Sequence, residues 1–112
     1  MSNRVNVKAL LGQQRGSQTF GPLRIDWALS ADKFSIGVNI YLSGQLVDLG
    51  TITRQQPNFP FNVAQGNDSA KGTLTGQFET AGQAQLLRGD FEWCVFDQCQ
   101  SFRGIIADFS GE

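Results

Sequence analysis

Histidine is absent from all 112 residues, and this absence excludes more chemistry than any residue present suggests. Neither a Ser-His-Asp nor a Cys-His nucleophile system can be assembled, so no catalytic residue is assigned and a non-enzymatic protein is expected. A histidine-held zinc is excluded, and two cysteines do not close a tetrahedral site alone, so no metal is expected either. No GxGxxG or P-loop run occurs and the glycines punctuate turns, which leaves no expected cofactor. Charge is sparse: nine Lys/Arg against ten Asp/Glu give a formal net charge of -1. The basic residues stand singly, without the footprint that nucleic acid or an anionic membrane would require. Long apolar runs are missing too, so membrane insertion is not expected. Met1-Ser2-Asn3-Arg4 leads into a strand pattern rather than a signal peptide, and the expectation is a soluble, cytoplasmic chain.

What the chain does contain is alternation. From Pro22 to Ile52, Leu23, Ile25, Trp27 and Leu29 form one apolar set, Phe34, Ile36, Val38 and Ile40 a second, and Val47 and Leu49 a third with Thr51 beside them. Turns at Ala31-Asp32 and Ser43-Gly44 would set Leu29 against Phe34, Trp27 against Ile36, Ile40 against Val47 and Val38 against Leu49. A one-residue slip would turn each apolar set to the wrong face. A two-residue slip leaves the pattern equally satisfied.

The remaining segments read similarly. Val5, Val7, Ala9 and Leu11 alternate as a first strand, followed by a Gly/Gln/Ser-rich loop from Gly12 to Gln18. Phe59, Phe61 and Val63 alternate after Pro57, and because Pro60 lacks an amide donor this fifth segment is expected as either an edge strand or an extended loop. Leu74, Gly76 and Phe78 make a sixth that turns at Ala81-Gly82 into a seventh containing Leu87, Gly89, Phe91, Trp93 and Val95, and Phe102, Gly104 and Ile106 make an eighth. Residues from Gln65 to Ser69 favour a turn. The expected fold is one all-β domain over 1–112, an antiparallel two-layer sandwich of meander and hairpin connections. The alternative is a closed eight-strand barrel, and the edge at Pro60 favours the sandwich.

A tight turn at Phe96-Asp97 would make Cys94 and Cys99 a non-hydrogen-bonded cross-strand pair, close enough for a disulfide across a short loop. The same register sets Asp90 opposite Arg103, Glu92 opposite Ser101, Phe91 opposite Phe102 and Trp93 opposite Gln100. Arg88-Gly89-Asp90, an integrin-type tripeptide, falls within a strand. Asn67-Asp68-Ser69 matches a glycosylation acceptor pattern.

Function is sought on the solvent face of the 22–52 meander. The registers above place Arg24, Asn39 and Asp48 in one row, Asp26 with Gly37 and Gly50 in the next, and Tyr41 beside them. Arg24, Asp26, Asn39, Tyr41 and Asp48 are therefore the candidate ligand-binding residues. A ring beside carboxylate and amide groups suits a carbohydrate or another small polar ligand, since C–H faces lie on the aromatic and hydroxyls meet the polar groups. A glycine pair would leave a notch in such a face. The alternative is a protein-interaction or self-assembling oligomeric β domain using Tyr41, Leu46 and the edge strand from Phe59 to Val63. A third reading, a carboxylate hydrolase using Asp26 and Asp48, requires a separation of about 5–9.5 Å. Strand spacing puts those Cα atoms about 10 Å or more apart.

Overall fold

In a computed structural model, which describes residues 15–109, the alternation resolves into eight strands. They are β1 (Arg15–Phe20), β2 (Leu23–Leu29), β3 (Ser35–Leu42), β4 (Gln45–Thr53), β5 (Asn58–Gln65), β6 (Asp68–Phe78), β7 (Ala84–Val95) and β8 (Gln98–Asp108). Sequence neighbours pair antiparallel except across one junction, which gives a sheet β1-β2-β3-β4 and a second sheet β5-β6-β7-β8. The architecture is a two-layer antiparallel sandwich, and among the described residues no pairing closes the sheets into a barrel. Its shortest dimension, 20 Å, suits two sheets whose facing side chains interdigitate over about 10 Å.

The layers separate at the β4–β5 connector for a local reason. Thr53 and Gln56 exchange backbone hydrogen bonds at 3.1 Å, and the Pro57 carbonyl accepts from Gly76 N at 2.8 Å. These bonds draw the chain off β4 and onto β6 of the opposite layer. There β5 becomes an edge strand, as Pro60 requires. At one end of the sandwich the connections are two-residue turns, at Gly21-Pro22, Ser43-Gly44, Gly66-Asn67 and Phe96-Asp97. The Ser43 hydroxyl donates to the Asp68 carboxylate and ties two of these turns across the layers. At the other end the Ala84 amide donates to the Lys33 carbonyl at 2.7 Å.

Leu23, Ile25, Ile36, Ile40, Leu42 and Ile52 from the first sheet meet Leu74, Leu87, Phe61 and Phe91 from the second, all buried. Removing each such Leu or Ile from water stabilises by about 1.5–3 kcal/mol. Phe20 joins the layers at one corner, with its ring centroid 4.9 Å from Phe91 and 4.8 Å from Phe102. Gly21 beside it is in the left-handed region, at φ 58°. A Cβ there would stand 2.7 Å from Trp93 Nε1, so both backbone and packing call for glycine.

The β7–β8 hairpin has the register expected from sequence, with Cys94 opposite Cys99, Glu92 opposite Ser101, Asp90 opposite Arg103, Phe91 opposite Phe102 and Trp93 opposite Gln100. The meander differs in two places. Leu29 pairs with Ile36 and Trp27 with Val38, a two-residue shift from the expected pairing. The cause is a four-residue loop over 31–34. Ser30 N donates to Ser35 O at 3.0 Å, and Asp32 Oδ1 accepts from Ser30 Oγ at 2.7 Å and Phe34 N at 3.0 Å. Phe34 is thereby lifted out of the strand, and its side chain is exposed.

The second departure is a bulge. Ser43-Gly44 is the expected turn and Tyr41 pairs with Leu46, but Ile40 pairs with Asp48, which leaves Val47 as an extra residue. Beyond it Val38 pairs with Gly50 and Ile36 with Ile52, and Leu49, expected inside, is 60% exposed. A local bulge achieves what a whole-strand slip could not, because it realigns Ile52 with the core while Val47 still packs against it. Residues 15–18, expected as loop, belong to β1, since docking of Phe20 outweighs weak strand propensity. The expected strand over 5–11 lies outside the described residues.

Candidate functional site

The solvent face of the first sheet is set by these registers. One row across it reads Thr19, Arg24, Tyr41, Leu46, the next Ser17, Asp26, Asn39, Leu49, and the third Arg15, Ala28, Gly37, Thr51. Arg24, Asp26, Asn39 and Tyr41 therefore share this face, as their alternation with buried Ile25, Val38 and Ile40 requires.

Asp48 does not join them. It pairs with Ile40 and lies two residues from Gly50, on the side of β4 that faces the second sheet. Its Oδ1 accepts from the Leu49 amide at 2.9 Å. Asp26 and Asp48 thus occupy different faces of the sheet. Gly50 leaves the expected notch for the same reason: it lies beneath Phe59, a core-packed ring of β5.

The polar groups that remain are organised. Arg24 Nε donates to Asp26 Oδ1 at 3.1 Å and Nη2 to Oδ2 at 3.4 Å. The Arg24 guanidinium carbon lies 4.0 Å from the Tyr41 ring centroid, a cation–π contact. One cation therefore fixes both the carboxylate and the ring. With 43% and 32% of the Arg24 and Asp26 side chains exposed, the pair adds little stability, and its consequence is the orientation of the acceptor.

Beside this pair the surface sinks into an open trough of about 520 Å³. Gly37 and Ala28 make its floor, and Arg15, Ser17, Asp26 and Asn39 stand around it. Among the described residues a Cβ on Gly37 would meet only Ala28 O, at 3.8 Å, so none of their side chains packs over the depression there. The trough offers a cationic donor, a carboxylate, an amide and a hydroxyl on one small surface. Arg15 and Ser17 were missed by sequence reasoning, which put them in a loop. The available signal was the Gly21-Pro22 turn, which with Phe20 allows a strand to pair back onto β2.

The second sheet carries a different group. Cys94 and Cys99 face each other with Cα atoms 4.0 Å apart and form a disulfide. Glu92 lies two residues before Cys94 on the same face, and Lys71 pairs with Glu92 from β6. Asp90 and Arg103 pair at 3.3 Å, but their side chains are 64% and 81% exposed, so the contribution to stability is small. Arg88 and Asp90 flank buried Gly89 within β7. Asn67-Asp68-Ser69 lies at the β5–β6 turn, where Asp68 accepts the Ser43 hydroxyl. Among the described residues no helix is long and apolar enough to cross a membrane.

Comparisons with protein-family models, with curated proteins and with solved structures find no match to this chain.

Proposed function

We propose that the protein is a non-enzymatic binding module that holds a carbohydrate or a similarly small, hydroxyl-rich ligand in the trough over Gly37. One observation carries this reading: an open depression on the first sheet is lined by four side chains of complementary hydrogen-bonding type, and among the described residues no packed side chain sits over Gly37 in its floor. Vicinal hydroxyls both donate and accept. Asp26 and Asn39 Oδ1 accept, and Arg15, Ser17 and the Asn39 amide donate. Arg24 holds Asp26 in place before a ligand arrives, which reduces the ordering cost of binding.

Isotope-labelled full-length protein titrated with mono- and oligosaccharides should show amide shift changes at Ser17, Asp26, Gly37 and Asn39. Gly37→Val places a side chain in the floor, where a Cβ meets only Ala28 O at 3.8 Å among the described residues, and should abolish those changes while the rest of the spectrum is kept. A glycan panel that perturbs none of the four amides overturns the reading.

A second reading rests on Leu46 and Leu49, 47% and 60% exposed beside Tyr41 on the edge strand β4. Together they make an apolar strip suited to a second copy of the chain. Sedimentation should then show a concentration-dependent dimer that Leu49→Glu dissociates. A monomer at millimolar concentration removes this reading.

A further inference from the structure

Cys94, Cys99 and Glu92 place their donor atoms within 4.8 Å of one another on the solvent face of the β7–β8 hairpin. Two cysteines do not close a tetrahedral site, but the register brings a carboxylate to them as a third donor. We propose that the reduced hairpin binds one soft divalent ion of the zinc or cadmium class through Cys94 Sγ, Cys99 Sγ and Glu92, and that the disulfide is the closed form of this site.

Three features of the structure support the assignment. Cys94 and Cys99 are opposite each other at a Cα separation of 4.0 Å. Two thiolates on one tetrahedral ion sit about 3.8 Å apart, from Zn–S bonds of about 2.3 Å, and rotation about the Cα–Cβ bonds supplies that spacing. Second, a depression of about 390 Å³ opens onto the three donors, bordered by Asn62, Ser69 and Lys71, which leaves room for water or another ligand in the fourth position. Third, the charges balance: two thiolates and a carboxylate carry -3, the ion +2, and the neighbouring Lys71 ammonium +1. Thiolate donors select zinc and cadmium over magnesium or calcium.

The site requires reduction. A dithiol reductant gives two electrons and two protons to the S–S bond and leaves as its own cyclic disulfide, so that Cys94 and Cys99 become thiols. Each thiol then releases one proton as its sulfur binds the ion. The oxidised hairpin has no thiolate to offer, and metal affinity is therefore gated by the redox state.

The test uses cadmium and the full chain, reduced with a phosphine that takes up water oxygen and leaves as phosphine oxide. The reduced protein should develop a thiolate-to-cadmium charge-transfer band that saturates at one equivalent, with its β circular dichroism kept, while the oxidised protein shows none. Glu92→Gln retains both thiols and should weaken cadmium binding at least about tenfold. Cys99→Ser should lose the saturating band. Loss of β structure on reduction, a band indifferent to Glu92→Gln, or no band at all overturns the proposal. The site lies on the layer opposite the trough, so its failure leaves the carbohydrate reading standing, and the reverse also holds.

Discussion

The ring of Phe59 lies against the Cα of Gly50 across the junction between the two sheets. A Cβ built on Gly50 would stand 3.0 Å from Phe59 Cδ1 and closer still to Cε1. Residues 50 and 59 flank the connector where the chain leaves one layer for the other, so this contact lets β5 close over β4. Gly50→Ala should therefore cost about 1–3 kcal/mol by overpacking. Urea denaturation of Gly50→Ala alone and with Phe59→Leu should show the second change recovering part of the loss. A neutral Gly50→Ala would mean that the ring is not seated there.

The bulge at Val47 makes a prediction about its two neighbouring apolar residues. Leu49 faces solvent and Ile52 is fully buried. Leu49→Ser should change stability by no more than about 0.5 kcal/mol, and Ile52→Ala should cost about 2–5 kcal/mol. The reverse order in denaturation midpoints would restore the unbulged register.

Phe96 begins the β7–β8 turn at φ 57° and is 70% exposed. A bulky L-residue in the left-handed region costs about 1–2 kcal/mol, and little burial offsets it. The hydrogen bond that its amide donates to the Asn67 carbonyl, at 2.9 Å, survives replacement by glycine. Phe96→Gly should raise stability by about 1 kcal/mol after the entropy of a more flexible unfolded chain is subtracted. Thermal unfolding of the oxidised protein checks this, and a lower midpoint would contradict it.

The Asp32 carboxyl is held below the usual carboxylate range, chiefly by the Phe34 amide and then by the Ser30 hydroxyl. Its folded pKa lies below its unfolded one. The two bonds therefore favour the fold above the unfolded carboxylate range, and that contribution is lost as pH falls through the folded value. A carbon-detected titration should find the Asp32 midpoint below that of an unfolded peptide spanning the loop, and Ser30→Ala should raise it. Identical midpoints in protein and peptide would deny the loop its hydrogen bonds.

How much of this was legible in the chain varied with the turn. At Phe96-Asp97 two residues join two long alternating strands, and counting outward from such a turn gives every partner through Asp90 and Arg103. At Ala31-Asp32 the same counting is two residues out, because Ser30 and Asp32 form side-chain bonds that lengthen the loop. A two-residue error is invisible to a period of two. The bulge at Val47 was hidden differently. Val47, Leu49 and Ile52 are all apolar, and sequence does not say which of them faces the core.

In the candidate site the first error misplaced rows, since Asn39 pairs with Asp26 and not with Arg24, which pairs with Tyr41, and the second misplaced the β4 residues. Arg24, Asp26, Asn39 and Tyr41 reached a common face because they alternate with buried residues, and neither a two-residue shift nor the register of β4 changes that parity. Asp48 and Gly50 follow the bulge, and it carried them to the other side.

Composition and alternation alone determined an antiparallel β protein without histidine chemistry, its inward residues on β2 and β3, and that the Pro60 segment is kept out of the middle of a sheet. These follow from bonding capacity and side-chain parity, which are local. Tertiary structure alone decided that β4 bulges, that β1 docks through Phe20, and that Ser17 and Arg15 thereby stand beside Gly37. Each of those depends on how two layers fill their shared interior, and packing between residues distant in sequence leaves no periodic signature in the chain.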